Sequence, residues 1–223
     1  MLSRREEKFT VSIDEEMGKG DFKWIELLAN GLTFDLSGLA PGTPHDFNRQ
    51  GHKFGFESDF DNSDLEALSI RPGPHLTSGG VMIPVIRCLA WLAAQMSGLP
   101  GLKAIVWNAA RTTCEPAYFH ESVMRWISGG PFPGFGLTAL VPQPDGAMIS
   151  EGLTLFTGQE LRLDRELASD KPQGAKVALR LIHWLVENGR IEQTMSLTGP
   201  SGETLVLEPV HEQGIVNVWR GSR

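Results

Sequence analysis

The chain is short of cysteine, of clustered positive charge and of long apolar runs, and each shortage closes off a class of protein. Two cysteines among 223 residues make no disulfide framework, and a chain of this length can bury a sufficient core without one. Lys and Arg number 20 against 27 Asp and Glu, a formal net charge of -7. Nucleic-acid affinity is built from clustered Lys and Arg, so this balance argues against it. The one basic cluster, Arg4 and Arg5, is followed at once by Glu6 and Glu7. The most apolar stretch, "VMIPVIRCLAWLAAQM" (81–96), carries Pro84 and Arg87 and falls short of the roughly 20 apolar residues of a membrane span. The opening "MLSRREEKFT" has no apolar core of a secretion signal. These features predict a cytoplasmic protein with no membrane and no nucleic-acid partner. Sequence motifs for a phosphate loop (G-x-x-x-x-G-K-[ST]), a dinucleotide turn (G-x-G-x-x-G) and a nucleophile elbow (G-x-S-x-G) are also missing. No cofactor is expected.

What is there divides near residue 77. Residues 1–76 read as a loop-rich extension with short strands at 8–13, 32–36, 53–58 and 65–70, completing the same domain as the rest. Within it, "DFKWIELLANG" places Trp24, Leu27 and Leu28 at helical spacing, with Asn30-Gly31 as a C-terminal stop. Residues 77–223 carry stronger signals. They comprise a helix over 81–97, a strand over 102–107, a second helix over 113–128, a strand over 137–141, and segments 148–158 and 160–164 that read as two strands or one bent strand. A third helix over 174–188 follows, then a closing meander of three strands. The predicted class is α+β, a mixed and mainly antiparallel sheet packed against about three main helices.

Four segments, "KAIVW", "TLFTGQELRLDRE", "LRLIHWLVENG" and "GETLVLEPVHEQGIVNVWR", lie in an order that resembles the bacterial family called domain of unknown function 4261. The resemblance covers the C-terminal two-thirds, about 77–220. It implies a fold and no catalytic residue.

The most reactive-looking stretch is "NAARTTCEPAYFHESV" (108–123). Thr112 and Glu115 have capping-box spacing and Pro116 suits a first helical turn, which puts Cys114 at a helix start, where the dipole favours a thiolate. His120 lies six residues on, about 120° around the helix from Cys114, and Glu121 shares the thiol's face but would raise its pKa. Cys114, His120 and Glu121 are the catalytic candidates, and the spacing favours an ordinary helix start over an active site. His45, Asp46 and His52 in the acidic loop 44–66 are metal-ligand types without the spacing of a known site. "TSGGV" (77–81) leads into a helix N-terminus without a phosphate-loop pattern. "GGPFPGFG" (129–136) holds Phe132 and Phe135 on a loop stiffened by two prolines. With Trp126 these could anchor a partner, or fold back over the core. The helix over 81–97 is apolar almost all round, which calls for burial on more than one side, by the N-terminal segment or by a second subunit in a homo-oligomer.

Together these observations favour a non-enzymatic binding or regulatory module with a protein partner or small ligand. The alternative is a hydrolase or transferase centred on Cys114, with His183 or His211 supplying the base.

Overall fold

A computed structural model describes residues 9–12, 24–39, 51–57, 65–76 and 82–221. The fold is α+β, with three main helices and mainly antiparallel sheets. Contacts divide the chain into two compact units, one of Met1–Gln50 with Phe56–Leu102, the other of Gly51–Gly55 with Lys103–Arg223. In this division the first long helix belongs with the N-terminal strands.

The first unit holds a four-stranded antiparallel sheet in the order β1 (Phe9–Ser12), β2 (Trp24–Ala29), β3 (Leu32–Ser37), β5 (Ser69–Pro72). The helix expected over "DFKWIELLANG" is instead strand β2. Leu27 and Ala29 are buried while Leu28 between them is exposed, the alternation of a strand with one buried face. Asn30 (φ 52°) and Gly31 (φ 76°) both adopt left-handed conformations, as a two-residue hairpin turn demands. The dipeptide turns the chain back on itself instead of ending a helix. Helix α1 (Ile83–Met96) has Pro84 in its first turn, where no helical N–H is lost. It packs on β3 and β5 and buries Val85, Ile86, Trp91 and Leu92. Each such side chain contributes about 1.5–3 kcal/mol. Phe9 meets the Trp91 ring edge-on at 6.2 Å, and the buried Cys88 thiol donates to the Ala29 carbonyl at 3.7 Å. Strands of the same unit thus cover the apolar helix.

The second unit contains two sheets. A small one runs β4 (His52–Phe54), β7 (Thr112–Cys114), β6 (Ile105–Trp107), with β4 parallel to β7. The larger, six-stranded sheet has the order β11 (Met195–Thr198), β12 (Thr204–Val210), β13 (Ile215–Arg220), β10 (Glu160–Leu163), β9 (Met148–Glu151), β8 (Ala139–Pro142). Its closing three strands form the expected meander, and β13 then pairs parallel with β10. Helix α2 (Pro116–Ile127) follows β7, and a turn, α3 (Gly134–Leu137), precedes β8. The region expected as strand to residue 158 bends after β9 into α4 (Thr154–Thr157). The Glu160 carboxylate accepts the backbone N–H groups of Gly152, Leu153 and Thr154 at 3.0–3.2 Å there, filling the donor sites a helix start leaves open. A short α5 (Arg165–Ala168) leads into α6 (Lys171–Asn188), whose Val177, Ala178, Leu181, Ile182 and Leu185 are buried and which packs on β10.

Candidate functional site

Cys114 does not stand at a helix start. It ends β7, the central strand of the small sheet, with none of its surface exposed. Burial pushes its thiol up to about 12, and the Thr112 hydroxyl pulls it only partly back. The Thr112–Glu115 capping box does not form. Thr112 is in the strand and its hydroxyl donates to the Gly136 carbonyl. Glu115 is itself the cap, its carboxylate accepting the Tyr118 N–H at 2.7 Å, with Pro116 in the first turn as expected. The helix therefore begins three residues later than its sequence suggests, because Thr-Thr-Cys satisfies its backbone in a sheet. His120 is half-buried on α2 and Glu121 is exposed, paired with Arg125. Cys114 lies in the strand, outside the first turn of α2.

The aromatic loop also turns inward. Phe132 and Trp126 are each 6% exposed and meet edge-on at 5.3 Å, with Phe156 4.8 Å from Phe132. Phe135 is half-buried and stacks on Phe54 at 5.1 Å. These rings close the core edge, held there by edge-to-face and stacked packing and by apolar burial. The Phe132 N–H donates to His183 Nδ1 at 3.3 Å, tying the loop to α6.

Of the metal candidates, His45 and Asp46 lie outside the described residues. His52 is held at 3.2 Å from Glu151, whose carboxylate also receives a two-pronged contact from Arg111. Arg111 beside it holds the Glu151 carboxyl below the ordinary carboxylate range, against the opposing effect of burial and with His52 assisting. Among the described residues no three His, Cys, Asp or Glu side chains gather where a metal could sit. This cluster is a clasp between β4 and β9. His52 and Glu151 are 99 positions apart, so no local pattern announces the pair.

A concave feature of the second unit lies elsewhere. One face of α6 (Val177, Leu181, Trp184) and the β11–β12 hairpin (Leu197, Leu205) line an open groove of about 190 Å³. Arg180 and Glu187 stand at its rim, seven residues apart and so nearly on one helical line. His183 lies 3.6 Å from Glu187.

The groove reaches the outer strand of the larger sheet, where Leu197, Thr198, Gly199 and Pro200 line it. Among the described residues β11 pairs only with β12. Gly199 donates its N–H to the Glu203 carbonyl at 2.8 Å, which fixes the alternation of the antiparallel ladder. Leu197 and Met195 turn their peptide groups toward β12, and Ser196 and Thr198 turn theirs outward. Both of those residues are exposed. Nothing in the sequence singled out this edge, although the helix and the meander that build it were both legible. Compared with known proteins, the chain matches no family model, no curated protein and no solved structure. The resemblance noted above therefore rests on its sequence segments alone.

Proposed function

We propose that the chain is a non-enzymatic binding module that takes a partner's extended segment onto the edge of β11. The observation that carries this reading is the coincidence of outward peptide groups at Ser196 and Thr198 with the apolar groove beneath Trp184. Strand addition draws affinity from main-chain hydrogen bonds and specificity from pockets that take alternate side chains, and the edge and the groove supply one of each. An open edge beside an apolar surface also invites aggregation unless it has an occupant. The burial of Cys114 and its raised pKa speak against the hydrolase or transferase reading, which requires an accessible thiolate. Two free, buried thiols fit a reducing, cytoplasmic setting. Membership of the bacterial family named above belongs to the same proposal.

A photo-reactive residue placed at Thr198, in the chain expressed in its native cell, tests the reading. Adducts at Thr198 that are absent from the same probe at Ser169, and lost with Trp184→Ala, are expected. A probe at Thr198 that captures nothing beyond the Ser169 background sinks it.

A further inference from the structure

We infer that the occupant of the β11 edge is a second copy of this chain, joined about a two-fold axis that passes beside Leu197. The inference rests on the strand-addition reading and names its partner.

A two-fold contact pairs residue i with j and j with i, so the surface has to complement itself. The edge does so in its backbone. In an antiparallel β11–β11 pair, Ser196 faces Thr198 of the partner subunit and each exchanges both peptide hydrogen bonds, because these are the residues whose N–H and C=O point outward. Leu197 then faces the partner subunit's Leu197 across the axis, on the side of the sheet that α6 covers, where Leu197 already lines the groove. The six-stranded sheet becomes continuous through two subunits.

The rim complements itself in charge. The axis stands perpendicular to the sheet, so it leaves both α6 helices on one face and sets them antiparallel. Arg180 and Glu187 are seven residues apart with Trp184 between them, so reversal of the helix brings Arg180 toward Glu187 of the partner subunit and Glu187 toward the partner's Arg180. The two Trp184 rings and the two Leu197 side chains close the groove from either side. An extended peptide from an unrelated protein can also use the edge, but it has no reason to match an Arg and a Glu spaced symmetrically about the groove. The self-complement favours the second copy.

Leu197→Cys tests the axis. Facing residues of this kind lie about 4.5 Å apart at Cα, within reach of a disulfide, and Cys88 and Cys114 are buried and will not compete. Under mild oxidation the variant is expected to form a covalent dimer, whereas Ser169→Cys stays monomeric. Sedimentation of the unaltered chain is expected to show a species of twice 24.5 kDa that grows with concentration. Thr198→Pro removes an outward N–H that the chain itself does not use and should abolish that species. Arg180→Glu should weaken association at least tenfold, and adding Glu187→Arg to it should restore most of the loss. A chain that stays monomeric at high micromolar concentration, with no Leu197→Cys cross-link, overturns the second copy. In that case a Thr198 adduct of some other mass leaves strand addition standing, and the lack of any adduct removes both.

Discussion

At the residue scale, Cys114 and Glu151 are shifted in opposite directions, the thiol upward by burial and the carboxyl downward by Arg111. Burial pushes the folded Cys114 thiol up to about 12, against an ordinary thiol range of about 8.5–9 in the unfolded chain. Its proton is held more tightly in the folded chain. As pH rises above about 9 the unfolded state alone releases that proton, so stability falls between roughly pH 9 and 12. Urea unfolding across that range is expected to show this loss in the unaltered chain and a shallower one in Cys114→Ala. Alkylation of Cys114 in the folded chain should stay slow well past pH 9, and rapid labelling below pH 7 would return the enzyme reading to consideration. Glu151 behaves in reverse. Its pKa is lowered, chiefly by Arg111, so it contributes stability above the ordinary carboxylate range that disappears as pH falls through the lowered value. Glu151→Gln should cost about 1 kcal/mol at neutral pH, the scale of a half-exposed ion pair, and flatten the acid limb of the stability profile. An unchanged acid limb would mean that the clasp to His52 and Arg111 contributes nothing.

At the scale of elements, the sequence was legible wherever a segment's own pattern decided its structure. Helix α1 follows its continuous apolar run and α6 its apolar stripe, and the closing meander follows its alternation and turns. Misreadings arose where one signal serves two structures. Asn30-Gly31 suits a helix end and a hairpin equally, and β2 pairs not only with β3 across that turn but also with β1, which a window around residue 30 does not contain. Thr112 carries a good capping side chain, yet its strand position between β4 and β6 won. The turn reading has a consequence in energy. A Cβ on Gly31 meets nothing within 4 Å, whereas one on Gly152 (φ 91°) meets the Ala110 side chain at 2.6 Å. Gly31→Ala should therefore cost only the left-handed backbone penalty, about 1–2 kcal/mol. Gly152→Ala adds a clash to the same penalty and should cost distinctly more. Equal losses in urea unfolding would show that the Ala110 contact yields. The same reasoning applies to the aromatic cluster. Phe132→Ala should cost about 3–5 kcal/mol, the range for a buried phenylalanine, while a ring serving as an exposed anchor would cost almost nothing.

At the scale of the whole molecule, the candidate site lay beyond the reach of sequence because it is a property of what remains unpaired. Trp184, Leu197 and Ser196 are unremarkable in their own segments, and they matter only because the sheet order leaves β11 outermost with α6 alongside. That placement predicts how stability depends on concentration. If the folded chain associates through β11 and the unfolded chain does not, mass action stabilises the fold as protein is added, by about 2.7 kcal/mol at a hundredfold excess over Kd. The melting temperature should rise with concentration for the unaltered chain. For Thr198→Pro it should stay constant, at a level offset by what the fixed φ of proline and its restriction of Leu197 cost the strand. Scanning calorimetry over a range of concentrations separates the outcomes. A rise in both proteins would place the association on some other surface, and constancy in both would leave β11 without a second copy. The net charge of -7 opposes any union of two copies, so added salt should strengthen the dimer by screening that repulsion. The effect should be weaker than screening alone gives, because the same salt also weakens the Arg180–Glu187 pairs at the rim. In Arg180→Glu that offset is gone and each copy carries two further negative charges, so its smaller affinity should rise more steeply with salt.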